Sequence, residues 1–380
     1  MGLESKLPDV GTSIFAIMSG LAKEHNAINL SQGFPDFNCD QKLLEYCQKY
    51  MNAGFNQYSP MQGVIQLRER IAEILENCYG AVYSPDTEIT VTAGATQGIY
   101  TAVSAFVRPG DEVIVFEPCY DSYIPSILTN GGKPVKVKLI APEFKINWEE
   151  VRSKINTSTK MIIINTPHNP TGQIFSEQDM LELERIVKGK NIIVLSDEVY
   201  EHIVFDGGKH QSACRFKSLA DQSFVISSFG KTIHTTGWKL GYVAARKELM
   251  EEFRKVHQFL VFSVNHPFQL GIADFLADKA NYLELKDFYQ KKRDLFLHLT
   301  SGSRFIPVKA QGTYFQLMSY KNISQEKDTD LAIRFTKEKG IATVPLSVFY
   351  SDQTDPGILR FCFAKKDETL EKAATIINRL

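Results

Sequence analysis

Between about residues 60 and 275 the chain repeats one pattern: a short, nearly continuous apolar run, then a stretch with apolar residues at helical spacing. The apolar runs fall at 88–92, 113–116, 134–139, 161–165, 192–196, 224–228 and 241–245. Each is too short for a helix and rich in apolar residues, as strands covered on both faces are. The helical stretches are 66–79, 96–107, 176–187 and 247–257, and the first carries Leu67, Ile71, Ile74 and Leu75 as one stripe. Strands and helices in this order predict a mostly parallel, seven-stranded sheet covered on both faces, an α/β fold. After a long helical segment at 281–299 the texture changes. Strands at 313–318 and 359–364 mix with helices at 331–339 and 369–380, which reads as a smaller α+β domain. The first forty residues read as an arm with one short helix at 14–25. The expected division is 1–44 as arm and part of the small domain, 45–277 as large domain and 278–380 as small C-terminal domain.

The chain has 380 residues, 43% of them hydrophobic, and a formal charge of −1. That length supports two domains with separate cores. The near-neutral charge offers no electrostatic case for nucleic acid or an anionic membrane surface. No apolar run approaches the ~20 residues that span a bilayer. Met1-Gly2-Leu3-Glu4-Ser5-Lys6 has no hydrophobic leader, so a cytoplasmic location is expected. Six cysteines without a C-x-x-C pair, and eight histidines without H-x-x-x-H spacing, predict neither disulfides nor a metal site.

The most chemically loaded segment is Ser228-Phe229-Gly230-Lys231-Thr232, followed by Gly237-Trp238-Lys239-Leu240-Gly241. It is not a nucleotide P-loop, because Val225, inside an apolar strand, stands where that motif needs its first glycine. No G-x-G-x-x-G occurs either, so a dinucleotide site has no support. Lys231 can instead condense with an aldehyde. Ser228 and Lys239 can hold a phosphate beside it. An aldehyde cofactor that carries a phosphate is pyridoxal 5′-phosphate (PLP).

Other candidates lie where strands are expected to end, the usual position of sites in open α/β sheets. Asp197 suits a pyridine nitrogen, which it would keep protonated. Tyr200 would reach the ring's phenolic oxygen. Asp197 can also be read as a cap on the next turn. Asn165-Thr166-Pro167-His168-Asn169-Pro170-Thr171-Gly172 predicts a rigid turn that aims the Asn169 amide at the same oxygen and at a substrate carboxylate. Gly94-Ala95-Thr96-Gln97 opens a helix and offers a phosphate cradle at Ala95 and Thr96, or a plain N-cap at Thr96. Tyr120 follows another strand and is placed to stack on a ring, or is one more buried aromatic. Arg360, inside Ile358-Leu359-Arg360-Phe361-Cys362-Phe363, is a cation in an apolar strand. It either forks onto a substrate carboxylate or sits in a buried ion pair.

With these residues assembled, nearly the whole chain resembles the fold-type-I, PLP-dependent aminotransferases of class I/II. Ser31-Gln32-Gly33-Phe34-Pro35-Asp36-Phe37, Asn56-Gln57-Tyr58 and Leu359-Arg360-Phe361-Cys362-Phe363 resemble the kynurenine aminotransferase/glutamine transaminase K branch. Ala93-Gly94-Ala95-Thr96, Phe262-Ser263-Val264-Asn265 and Pro345-Leu346-Ser347-Val348-Phe349 resemble the bacterial methionine aminotransferases within it. The resemblance implies that Lys231 bonds the cofactor, that Asn169, Asp197 and Tyr200 hold the ring and that Tyr120 stacks on it. Ser228, Lys239, Ala95 and Thr96 would bind its phosphate, with Tyr58 reaching in from the partner of a homodimer. Lys239 departs from the arginine of many superfamily members but is usual in this branch. Gly33 and Arg360 would meet the substrate carboxylate. Phe15, Phe34 and Phe349 would line the side-chain pocket, though Phe15 reads equally as a core residue on its helix. The implied reaction is ping-pong transamination between an L-amino acid and a 2-oxo acid. Methionine is the favoured donor, with aromatic amino acids, glutamine or kynurenine beside it. The alternatives are a cysteine-conjugate or cystathionine C–S β-lyase on the same scaffold, or a PLP-binding regulator without turnover.

Overall fold

The computed structural model describes residues 4–380; residues 1–3, part of the stretch read above for a leader, lie outside the described residues. Its strands are β1 (Ile28–Asn29), β2 (Ile89–Thr92), β3 (Glu112–Glu117), β4 (Lys133–Lys138), β5 (Thr159–Asn165), β6 (Ile193–Asp197) and β7 (Ser223–Ser228). There follow β8 (Gly241–Ala244), β9 (Ile306–Pro307), β10 (Phe315–Ser319), β11 (Ile341–Ala342), β12 (Val344–Pro345) and β13 (Ile358–Cys362). All seven apolar runs of the central region become strands, and they form one sheet in the order β2-β8-β7-β6-β5-β3-β4. Every neighbouring pair is parallel except those of β8, which runs antiparallel to both β2 and β7.

The period-2 geometry of a strand sends alternate residues of these runs into two different cores, which is why the central strands are apolar on both faces. Val113, Val115, Met161, Ile163, Leu195, Phe224 and Ile226 face one core. The helices Ala95–Phe106 and Lys247–Leu260 close it with Ile99, Ala102, Val103, Met250 and Phe253. The intervening Ile114, Phe116, Ile162, Ile164, Val194 and Val225 face a second core. Helices Ile65–Tyr79 and Glu177–Val187 cover that one with Leu67, Ile71, Ile74, Met180, Leu183 and Ile186. A third core joins Met18 and Ala22 of the helix Ile14–Glu24 to Leu359, Phe361, Leu370 and Ile377 near the C-terminus.

Beyond the large sheet, β12-β13-β10-β9 form an antiparallel sheet, and β1 pairs in parallel with β11. Four of these strands have only two residues, too short to leave a pattern in sequence. The helix expected at 281–299 divides into Ala280–Leu283 and Leu285–Leu299. The one expected at 331–339 starts at Asp328, turns into a π-helix over Phe335–Lys339 and stops at the left-handed Gly340 (φ 75°). Among the described residues no helix is long and apolar enough to cross a membrane.

Strand register places the site. Asn165 is paired with Asp197, and Gly241 lies opposite both Ser228 and Thr92, so four loops leave from one edge. Under that edge the buried Glu201 carboxylate accepts hydrogen bonds from Tyr79, Ser227 and Tyr242, tying a helix and two strands to one group.

Candidate active site

At this edge a cavity is lined by Gly94, Ala95, Thr96, Tyr120, Asn165, Asn169, Asp197, Tyr200, Ser228, Lys231 and Lys239, among others. Nine sequence-derived candidates therefore share one space: Ala95, Thr96, Tyr120, Asn169, Asp197, Tyr200, Ser228, Lys231 and Lys239.

Lys231 sits in the short helix Phe229–Thr232 that leaves β7. Burial lowers its ammonium pKa to about 8, and the positive charges of Lys239 and Arg360 push the same way. Its Nζ donates to the Tyr314 hydroxyl (3.0 Å) and to the Gly33 carbonyl (3.3 Å). Asp197 ends β6, and its Oδ2 accepts from the buried Tyr123 hydroxyl at 2.5 Å. Burial raises the Asp197 pKa to about 6, while the bond from Tyr123 opposes the shift. Asn165 pins the neighbouring loop: its amide nitrogen donates to the Asp197 carbonyl (2.8 Å) and its Oδ1 accepts from the Asn169 N–H (2.8 Å).

The far corner of the cavity suits an anion. Gly94, not Thr96, is the residue ahead of the helix Ala95–Phe106, and it has the positive φ (79°) that glycine takes without strain. The first N–H groups of that helix have no intrahelical partner. A Cβ at Gly94 would lie 3.4 Å from Lys239 Nζ, so a side chain there would fill the space between the helix start and the ammonium. Thr96 Oγ1 lies 3.4 Å from the Tyr120 hydroxyl.

Arg360, in β13, is 1% exposed and has no carboxylate within salt-bridge distance among the described residues. The buried ion pair is therefore not formed. Instead Nη1 donates to Asn169 Oδ1 (2.6 Å), Nη2 donates to the Ser31 carbonyl (3.2 Å) and Nε has no partner. The guanidinium carbon lies 3.8 Å from the Phe315 ring centre and 5.2 Å from those of Phe15 and Phe349. Phe15 and Phe349 pack on each other at 6.0 Å.

Two candidates stand apart. Phe34 is 41% exposed and lies by Lys365, whose Nζ bonds its carbonyl. Tyr58 is 81% exposed and packs edge-on against Phe262, outside the cavity lining.

The sequence profile of the family "Aminotransferase class I and II" matches residues 25–377. The chain belongs to this family. It is 46% identical to the methionine aminotransferase of Escherichia coli K12 over 99% of this chain and 98% of that protein. It is 35% identical to the kynurenine–oxoglutarate transaminase of Dictyostelium discoideum, over 96% and 93% of the two chains. The crystal structure of YbdL from Escherichia coli, described as having a methionine aminotransferase function, superposes with a TM-score of 0.98, 45% identity and full coverage of both chains. The protein is thus a PLP-dependent transaminase.

The aminotransferase's own residues fit that cofactor. The corner between the Gly94 turn and Lys239 has room and donors for a phosphate, and the hydroxyl of Ser228 has no side-chain capping bond to compete with it. At the opposite end the buried Asp197 carboxylate has no cation paired with it among the described residues, which suits a pyridinium.

Two further groups of the aminotransferase escaped the sequence reading. Tyr123 and Tyr314 look like ordinary core aromatics, yet one is bound to Asp197 and the other to Lys231. The available signal was position: Tyr123 follows the end of β3, and Tyr314 immediately precedes β10.

Asp197 makes a testable cost visible. Its carboxyl has a folded pKa of about 6 against an ordinary 3.8, so the stability it lends is fully present below pH 4 and is lost as pH rises through 6. Asp197→Asn keeps an acceptor for Tyr123 and removes the charge. The cofactor-free variant is expected to match wild type near pH 4 and exceed it by about 2–3 kcal/mol at pH 7.5. Urea melts at both pH values check this, and equal stability at pH 7.5 would refute it.

Proposed function

We propose that this aminotransferase transfers the amino group of methionine, and more slowly of aromatic amino acids, glutamine or kynurenine, to a 2-oxo acid by a ping-pong cycle. The observation that carries the reading is Arg360: a buried guanidinium with an idle Nε, ringed by Phe15, Phe315 and Phe349 and bonded to Asn169 of the Lys231 cavity. A carboxylate supplies what that guanidinium lacks, and the adjoining rings suit an apolar, thioether or aromatic side chain. Similarity to methionine aminotransferase supports the same donor class.

PLP, when bound, supplies the electron sink that makes the substrate's Cα–H acidic. Lys231, Asp197 and Tyr200 are the residues assigned to the chemistry. Asp197 would keep the pyridine nitrogen protonated, Tyr200 and Asn169 would hold the ring, and Tyr120 would stack on it. Ala95, Thr96, Ser228 and Lys239 would hold the phosphate. Arg360 and Gly33 orient the substrate, and Lys231 Nζ takes the Cα proton.

A donor screen tests the reading. Methionine, phenylalanine, kynurenine, glutamine and aspartate are each offered to PLP-loaded protein with several 2-oxo acids. Methionine is expected to lead and aspartate to trail, with parallel lines in double-reciprocal plots. A preference for aspartate, or pyruvate released from cystathionine without an oxo acid, overturns it.

The same reading makes the enzyme a homodimer with shared sites. Tyr58, Phe259 and Phe262 are 81%, 86% and 47% exposed, and aromatic surface of this extent suits a partner subunit. Tyr58→Phe is expected to weaken cofactor binding about tenfold, the worth of one charge-assisted hydrogen bond, while gel filtration still reports a dimer. Unchanged affinity would remove Tyr58 from the site.

A further inference from the structure

Tyr314 is fully buried and lies between β10 and the catalytic edge. Its hydroxyl donates to the Gly33 carbonyl, so its proton is committed and its oxygen is left as an acceptor. Lys231 Nζ lies 3.0 Å from that oxygen and 3.3 Å from the same Gly33 carbonyl. A neutral primary amine has two N–H bonds and one lone pair. The two acceptors touch each other on one side of the nitrogen, so they turn its N–H bonds to that side and leave the lone pair facing away.

We propose that Tyr314 and the Gly33 carbonyl form a docking site for the free amine of Lys231, with Tyr314 as a positioning residue that leaves the nitrogen lone pair as the one unbonded direction. The dock is rigid on both sides. The Tyr314 ring packs edge-on against Tyr200 (5.1 Å) and Phe315 (5.0 Å) and lies 5.5 Å from Tyr289. A Cβ at Gly33 would come within 2.8 Å of the Phe315 ring, so only glycine brings this carbonyl to the amine without displacing that ring.

The arrangement bears on proton transfer. A proton taken from the substrate's Cα forms its new N–H bond with the lone pair, on the side facing away from both acceptors. The ammonium then has three N–H bonds, two of them held by Tyr314 and Gly33. The third, which carries the substrate's proton, is the one free to be handed on. Docking thus keeps uptake and delivery on a single side of the nitrogen and removes the search over rotamers of a four-carbon stem.

The inference rests on Lys231 being the cofactor lysine, and the test separates the two. Tyr314→Phe keeps the ring and its packing. With methionine, kcat is expected to fall roughly tenfold or more while KM stays within about twofold, because a misoriented base slows one step and leaves substrate contacts alone. The primary isotope effect with α-deuterated methionine rises. In the amine form of the holoenzyme, where Lys231 is free, the pH midpoint for its carbamoylation by cyanate, read by mass spectrometry, falls by about one unit because the ammonium loses an acceptor. Placing p-aminophenylalanine at position 314, which keeps the ring and a donor to Gly33 but is a much poorer acceptor, moves both readouts the same way. If Tyr314→Phe folds poorly, that variant decides alone. An unchanged isotope effect and midpoint, in protein that keeps its visible cofactor band, overturns the docking role. A wild type without that band overturns the assignment of Lys231 instead.

Discussion

Lys231→Ala is expected to lower kcat for methionine transamination by about 10⁴-fold, the upper end of what a positioned general base contributes. The same change abolishes the visible absorption band of the lysine-bound cofactor. The fold is expected to survive. Lys231 forms no ion pair among the described residues, and its pKa of about 8 records a burial cost that alanine does not carry. Thermal melting of the cofactor-free variant should therefore fall at or above that of wild type. Residual turnover above about one per cent would mean that another group moves the proton. The band and the rate together separate the two duties of this side chain.

Arg360→Met is expected to reduce kcat/KM for methionine by about 10²–10³-fold, mainly through KM, since two charge-assisted hydrogen bonds to a carboxylate are worth roughly 3–4 kcal/mol. Stability makes this prediction discriminating. Breaking a buried ion pair costs about 3–5 kcal/mol because a charge is stranded. Arg360 has no such partner, and burial already lowers its pKa to about 10, so methionine should leave the melting temperature nearly unchanged. A large loss of stability with unchanged KM would make Arg360 a structural group.

Arg360 was legible in the sequence because a charge inside an apolar strand must have a reason, and the seven central strands were legible as short apolar runs between helical stretches. Legibility failed where local pattern carries no information. Two-residue strands such as β1 and β11 exist only through their pairing with each other, across more than three hundred residues of chain. Thr96 looks like an N-cap by type, but the backbone geometry of Gly94 puts the cap two residues earlier. Tyr123 and Tyr314 resemble core aromatics because their rings are core; only their hydroxyls, bonded to Asp197 and Gly33, set them apart. Phe34 and Tyr58 fall outside the cavity of their own chain, and motif spacing alone could not show which surface they face.

The reversed strand β8 has a consequence for how the site can vary. In a wholly parallel sheet, β7 would be followed by a crossover helix, and the next strand would begin at the opposite edge. Here the chain leaves at Ser228 and returns directly beside it at Gly241, so Lys231 and Lys239 ride on a single loop whose two ends are buttoned together. β8 is also held on its other side by β2. One residue added to or removed from the loop would re-aim Lys239 while both ladders stayed zipped. The anion corner is thus a replaceable cassette on a fixed frame.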